Sequence, residues 1–312
     1  MPTCKFKKQE KYISYDEGNT WQPTGEYRKG DVIESYSKDC YENSYFSFTA
    51  IDNCTFEMDK EIQYSTDNAS SWNVLAANNS ISVSSGDTVL WRKTISSDTN
   101  TNVGQFSSTG RFTAQGNVCS LIKGAAYLGV NSLANFAYCF ESLFEDCSGL
   151  TDASNIIMNP KWMGENSCHY MFSNCTNLET APELPAQYLA VSCYESMFSG
   201  CEKLIQAPSV LASSDLYEAC YESMFEYCTE LKTAPEIKAS VLYGDYCIAY
   251  MFLGCSKLNY IKIAASSIEG TNVTDRWVDG VANVGTFVKK YNSNIWSRGI
   301  HGIPQNWTIS NY

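Results

Sequence analysis

Cys193-Tyr-Glu-Ser-Met-Phe-Ser-Gly-Cys201 is the stretch on which the fold turns. Its first six residues return unchanged at 220–225. Around them runs a longer unit: a Cys, a Met-Phe or Leu-Phe pair four residues on (three after Cys168), a second Cys, and a Leu three residues beyond. The first Cys falls at 139, 168, 193, 220 and 247, the second at 147, 175, 201, 228 and 255, and the Leu at 150, 178, 204, 231 and 258. Steps of 25 to 29 residues lie in the range of solenoid arrays, in which each unit buries its apolar face only against its neighbours. An array of this kind presents a surface, so binding or structure is expected before chemistry.

Within a unit the spacing predicts a short helix. Cys193, Met197 and Cys201 stand at i, i+4 and i+8, which is one helical stripe; Phe198 widens it, and Glu195 and Ser196 face away. A turn follows at Ser199-Gly200 or Ser173-Asn174, then a brief extended segment with Ala-Pro at 181–182, 207–208 and 234–235. Proline donates nothing to a ladder, so Pro182, Pro208 and Pro235 mark where that segment ends or bends. A helix would hold the two Cys of one unit roughly 12 Å apart, beyond the ~7 Å that a disulfide spans. Zinc knuckles want two to four residues between ligands. The expectation is buried thiols acting as small apolar side chains, with bridges between neighbouring repeats, or among Cys4, Cys40 and Cys54, as the alternative.

Outside the array the chain reads as β-structure. Tyr12-Ile-Ser-Tyr-Asp-Glu-Gly-Asn-Thr-Trp21 and Tyr64-Ser-Thr-Asp-Asn-Ala-Ser-Ser-Trp72 both suggest strand, Asx-type turn, strand, with Asp16 or Asp67 accepting bonds from the turn backbone. Gly18 supplies a turn position that Ala69 must fill with less freedom. Tyr45-Phe-Ser-Phe-Thr-Ala-Ile51 and Thr88-Val-Leu-Trp-Arg92 have strand composition, with a turn at Ser84-Ser-Gly-Asp87. The Ser, Thr and Asn of 96–108 predict an exposed loop. The organisation expected is an N-terminal β-hairpin segment for attachment (1–42), a small antiparallel β module (43–115), about five repeats (116–270) and a C-terminal cap (271–312). The cap would use Gly285-Thr-Phe-Val288, Trp296 and Ile303-Pro-Gln-Asn-Trp307.

The run 193–208, with its equivalents at 168–182 and 220–235, resembles the BspA-like leucine-rich repeats of Bacteroidetes surface and phage-associated proteins. The unit at 247–263 is a weaker copy with Ile261-Lys262 at the Ala-Pro position, and the first unit carries Ala153-Ser154 there. The resemblance implies an α+β fold: a leucine-rich-repeat-type β/α solenoid preceded by the antiparallel module. It implies a role in adhesion or as an external structural protein, and it carries over no catalytic residue. Ser14-Tyr-Asp-Glu-Gly-Asn-Thr-Trp21 also resembles the Asp-box of sialidases, S-x-D-x-G-x-T-W, a structural hairpin in that family. Two such boxes make no propeller, and no paired-carboxylate framework accompanies them, so a glycosidase is not expected.

Charge and chemistry narrow the classes further. A formal net charge of −12, from 34 acids and 22 bases, opposes nucleic acid and anionic bilayers, and no apolar run is long enough to span a membrane. Only His169 and His301 are present. Cys168 beside His169 suggests a Cys–His pair, but neighbouring helical residues point ~100° apart, and Cys168 aligns with the first Cys of the other units. His169 then replaces the Tyr of Cys-Tyr, and His301 reads as a loop residue. Asp16, Asp67 and Asp87 read as turn formers, since the oxygen spacing of a calcium loop is absent, and no glycine-rich phosphate loop opens a helix. No catalytic, cofactor or metal residue is therefore expected, and the binding residues are left unassigned.

Twenty-one Tyr and seven Trp could stack on sugars. Tyr194, Tyr221 and Tyr246 are better explained as spacer rings of the repeat, while Tyr291, Trp296 and Trp307 are less constrained. The expected function is a non-enzymatic phage virion component (fibre, tail or head decoration). Its N-terminal module would dock to other virion or surface proteins, and its solenoid to a host protein or glycan. Lys5, Lys7 and Lys8 precede no apolar stretch, which favours synthesis in the cytoplasm and release on lysis. A bacterial cell-surface adhesin with its signal trimmed is the alternative. Homo-oligomerisation is left open, as no heptad run specifies it.

Overall fold

A computed structural model describes residues 44–93 and 102–312, together with the backbone of three short strands before them. Those strands, β1 (Lys5–Phe6), β2 (Tyr12–Ser14) and β3 (Gln22–Pro23), form an antiparallel sheet in which Tyr12 faces Pro23 and Ile13 faces Gln22. The first Asp-box motif is thus flanked by paired strands, and its turn, with Asp16 and Gly18, lies outside the described residues, as do Cys4 and Cys40.

The antiparallel module is built as its composition predicts. Strand β4 (Phe46–Ala50) pairs with β9 (Thr88–Arg92), which pairs with β6 (Ile62–Ser65) and so with β7 (Asn73–Leu75). A second small sheet sets β5 (Cys54–Met58) between β8 (Asn79–Val83) and β10 (Phe106–Ser108). Alternation puts Phe46, Phe48, Phe56, Trp91 and Phe106 in one core. The predicted loop is corrected here: 96–101 lie outside the described residues, but 106–108 are strand. Phe106, 1% exposed, is a core ring in contact with Phe48, Trp91 and Phe144, and one large apolar side chain outweighs its polar neighbours.

At the second hairpin Asp67 organises the turn between β6 and β7. Its carboxylate accepts bonds from the Ser71 amide and hydroxyl and from the Ser65 hydroxyl; these bonds, from Ser71 foremost, pull it down to about 2. Ala69 adopts φ +66°, the left-handed region that glycine would enter more easily. Asp87 likewise accepts the Ser84 amide, with Gly86 beside it at φ +90°.

Strand β11 (Phe112–Asn117) joins the module to the array, running antiparallel to β4 and parallel to β12 (Leu150–Ile157). One helical turn, Ser120–Lys123, follows β11. Beyond it the chain is a β-solenoid. One parallel ladder comprises β13 (Val210–Leu211), β15 (Glu236–Ile237), β17 (Tyr260–Ile263), β19 (Thr286–Lys289) and β20 (Thr308–Asn311). A second comprises β14 (Asp215–Leu216), β16 (Val241–Leu242) and β18 (Ser267–Ile268). The described residues are mostly strand and turn, with very little helix.

The segment expected to be helical is a ribbon of turns. Every fourth residue enters the left-handed region: Ser192, Ser196 and Gly200 in one coil, Ala219, Ser223 and Tyr227 in the next, Tyr246, Tyr250 and Gly254 in the one after. Alternate amides bend back three residues, as Leu143 does to Phe140 and Cys147 to Phe144. The amides between them cross to the next coil, so Phe140, Ser142, Phe144 and Asp146 donate to the carbonyls of Ser167, His169, Met171 and Ser173. The result is a two-in, two-out pattern with a period of four. A helix advances ~400° in four residues, so across nine residues its stripe drifts too little to tell the two apart. A turn ribbon and not a helix therefore separates the two cysteines of a unit, and the described thiols are free.

This register also corrects the alignment of one unit. Phe140, Cys168, Tyr194 and Tyr221 donate in turn to Ser167, Cys193, Cys220 and Cys247. Cys168 thus stands in the column of Tyr194 and Tyr221, while Ser167 stands in that of Cys139 and Cys193. Tyr246, at φ +55°, belongs to neither buried column. Seven residues separate Cys168 from Cys175 where the other units have eight, and the shorter spacing moves the first Cys by one place.

Columns of identical side chains fill the core. Phe144, Phe172, Phe198, Phe225 and Phe252 stack at 5.3–5.8 Å with planes within 11°, a separation at which each ring pair adds about 0.5–1.5 kcal/mol beyond its buried area. Beside them the second cysteines act as donors. Cys175, Cys201, Cys228 and Cys255 give their thiol hydrogens to the carbonyls of Phe144, Phe172, Phe198 and Phe225 at 2.9–3.1 Å. Burial pushes Cys147 up to about 11 and Cys255 up to about 12, which holds them as thiols.

Both ends are closed by foreign backbone or side chains. At the start Val103 and Phe106 donate to the carbonyls of Cys139 and Leu143, and the module's phenylalanines pack on Phe144. At the far end Trp277 donates to Gly302, Trp307 to Ala282, and Arg298 to Pro304 and Trp307. Trp307 is 2% exposed, so it is a fixed core ring and not a loosely placed one. No helix among the described residues is long and apolar enough to cross a membrane.

Candidate binding groove

The turn ribbons carry one outward column that contains His169. Glu141, His169, Glu195 and Glu222 follow one another from coil to coil, because Ser142, Tyr170 and Ser196 donate to the carbonyls of His169, Glu195 and Glu222. The imidazole lies 3.5 Å from a carboxylate oxygen of Glu141 and 3.5 Å from one of Glu195, too long for well-formed hydrogen bonds. Cys168 turns inward and is fully buried, so the adjacent Cys and His leave on opposite faces and form no dyad. His169 therefore occupies a glutamate column rather than the tyrosine place expected for it. His301 is more than a loop residue: its Nδ1 accepts the Arg276 amide at 3.0 Å, in place of the backbone carbonyl that Asp275 offers Tyr250 one coil earlier.

Carboxylates crowd this column. Burial raises Glu195, but the facing His169 and Ser192 outweigh it and hold the carboxyl below its usual range. At Glu222 burial, then repulsion from Glu195, Glu226 and Glu218, outweighs the smaller pull of His169 and pushes the carboxyl up to about 7. Among the described residues no group of three or more His, Cys, Asp or Glu could hold a metal ion. Asp67 and Asp87 serve turns, as described above.

Where the chain leaves the second ladder and enters the turn ribbon it opens a groove of about 380 Å³, lined by Trp162, Tyr188, Asp215 and Tyr217 among others. Ser132 pairs with Trp162 and Trp162 with Tyr188. The two rings stack at 5.0 Å with planes 11° apart, yet they remain 41% and 52% exposed. Met163 and Leu189 alternate inward and are buried, which anchors the strand that holds the rings out. Tyr217 and Tyr243, exposed as well, continue the aromatic surface on later coils from a place two residues further along. Close backbone approach shapes this corner, since a Cβ on Gly244 would run into the backbone of Tyr217 and Glu218.

The cysteine-centred repeat pattern points to none of these rings. Tyr194 and Tyr221 are buried spacers, stacked at 6.2 Å, as expected of a repeating core ring. The exposed aromatics lie instead between the cysteine-bearing segments, where the unit is least regular. One signal was available: Trp162 and Tyr188, like Tyr217 and Tyr243, are 26 residues apart, the length of one repeat. Comparison with protein-family models, curated proteins and solved structures finds no match to this chain.

Proposed function

We propose that the chain is a non-enzymatic structural and adhesive protein, a phage virion component such as a fibre, tail or head decoration, whose solenoid presents a binding face to a host surface protein or glycan. The observation that carries this reading is the pairing of a rigid stacked core with exposed, ordered aromatic rings. Trp162 and Tyr188 remain largely uncovered although the fold holds both in register. Exposed aromatic clusters of this kind mark interaction surfaces. The thiol columns support the virion assignment. Cys175, Cys201, Cys228 and Cys255 work as hydrogen-bond donors, a role available only to reduced cysteine and suited to assembly in a reducing compartment.

The kinship we propose is with BspA-like leucine-rich repeats. Support comes from Leu150, Leu178, Leu204, Leu231 and Leu258, all fully buried and each three residues after a second cysteine. In this reading the N-terminal segment and antiparallel module dock to the rest of the particle. The exposed groove equally favours a bacterial cell-surface adhesin, the second reading. Mass spectrometry of purified particles, with inspection of neighbouring genes, separates the two. Peptides of the chain at stoichiometric levels in particles, beside capsid or tail genes, support the virion assignment. Absence from particles together with recovery from the cell surface overturns it in favour of the adhesin.

A further inference from the structure

We propose that the groove at Tyr188 and Asp215 is a subsite for one neutral hexopyranose ring. The inference rests on the reading of the chain as a binding protein and names the ligand class of its groove. Its starting point is an interrupted ladder. Ser132, Trp162 and Tyr188 stand in register on successive coils, and the offset that pairs Leu184 with Leu211 sets Asp215 after Tyr188. Two rings therefore stack, and a short side chain lies beyond each end. The face of Tyr188 turned toward the next coil has a carboxylate beside it where a third ring would continue the stack. The space left there belongs to the 380 Å³ groove, near the lower end of the ~300–1,000 Å³ typical of ligand sites.

The chemistry of the walls selects the occupant. An aromatic face is the negative side of a quadrupole, and the C–H face of a pyranose, slightly positive and nearly flat, lies well on it. Asp215 can accept two sugar hydroxyls; one of its oxygens already accepts the Ser214 hydroxyl at 2.9 Å, so a vicinal diol falls mainly to the other. Gln187, exposed on the groove wall, offers both an amide donor and a carbonyl acceptor. No lysine or arginine lines the groove, Glu218 follows Tyr217 directly, and the whole chain carries −12. Sialylated, sulfated or phosphorylated sugars are repelled by this field, whereas a neutral ring is not. A proline-rich peptide would also stack on the rings, but it has no hydroxyls to give Asp215.

Titration calorimetry and saturation-transfer NMR on the full chain test the assignment, with methyl glucopyranoside, mannopyranoside and galactopyranoside as neutral probes. The methyl glycoside of N-acetylneuraminic acid is the anionic probe and a polyproline peptide the alternative ligand. Saturable binding of at least one neutral glycoside is expected, with the anionic probe bound less well. Tyr188→Ala should weaken it about threefold to tenfold, the range for loss of a ring contact, and Asp215→Asn by about tenfold, as for a hydrogen bond to a charged acceptor. Tyr291→Ala, remote and 75% exposed, should change nothing, and matched thermal melts verify that all variants fold. Failure of every neutral probe to bind, preference for the anionic one, or binding indifferent to Tyr188→Ala each overturns the assignment. Polyproline bound in the groove and insensitive to Asp215→Asn would replace the sugar with a peptide. If the protein still attaches to host cells while neutral glycosides neither bind nor compete, the sugar subsite falls and the binding-surface reading stands.

Discussion

Replacing Ser142 and Ser223 with glycine should stabilise this protein, although both lie in segments whose sequence reads as helix. They sit at φ +56° and +52°, where an L-residue costs about 1–2 kcal/mol relative to the right-handed region. Glycine escapes that cost but gives back about 0.4–1 kcal/mol through its freer unfolded chain. The net gain is ~0.5–1 kcal/mol per site. The two positions belong to one outward column three coils apart, roughly 14 Å at ~4.8 Å per coil, so their effects should add. The double variant is then more stable by about 1–2 kcal/mol, a rise in Tm of roughly 2–4 °C per kcal/mol for a chain of this size. A helix reverses the sign, because serine to glycine in a helix interior costs ~0.5 kcal/mol per site. Urea unfolding followed by tryptophan fluorescence and circular dichroism reads the difference. A double variant less stable than the parent would refute the turn ribbon.

Three further outcomes follow from particular contacts. Gly244→Ala should destabilise the chain by about 1–3 kcal/mol in the same urea assay, because the added methyl meets the backbone of Tyr217 and Glu218 and an overpacked site must shift; an unchanged midpoint would contradict that close approach. Glu222 titrates near 7 in the fold against an ordinary 4.5, so its stabilising contribution is full below 4.5 and is lost as pH rises through 7. Glu222→Gln should therefore gain about 1 kcal/mol at pH 8, after discounting for half exposure, and nothing at pH 4; equal stability at both would remove the carboxylate crowding. Ellman's reagent should leave the cysteine columns unreacted in the native protein. In guanidinium, without reductant, it should titrate all of the described cysteines, which are free thiols in the fold, whereas bridges between repeats would withhold them.

The repeat and its core were legible because side-chain identity recurs where burial recurs. Cys201, Phe198 and Leu204 mark positions that every coil fills alike, and the Asp67 and Asp87 turns carried their own chemistry. The backbone conformation was not legible from the stripe. Cys193, Met197 and Cys201 satisfy a helix and a four-residue turn ribbon equally well over so short a span. The distinguishing residues were present at the outward positions, as Asn166, Asn174, Gly200, Gly254, Asn272 and Gly280, all at positive φ and all of types that tolerate it. The shift of Cys168 into the tyrosine column needed inter-coil hydrogen bonds to be seen. The groove was hidden for a different reason: Trp162, Tyr188 and Asp215 sit between the recurring segments, and only their pairing across coils brings them together.

The most direct measurement is the hydrogen-bond partner of a single amide. Through-bond coupling across the hydrogen bond, in 15N- and 13C-labelled protein, reports which carbonyl accepts the Ser196 amide. In a stacked turn ribbon that carbonyl is Glu222 of the next coil, at 2.8 Å. Coupling to Glu222 is the predicted result. Coupling to Ser192, four residues back in the same segment, would mean a helix and would contradict the account.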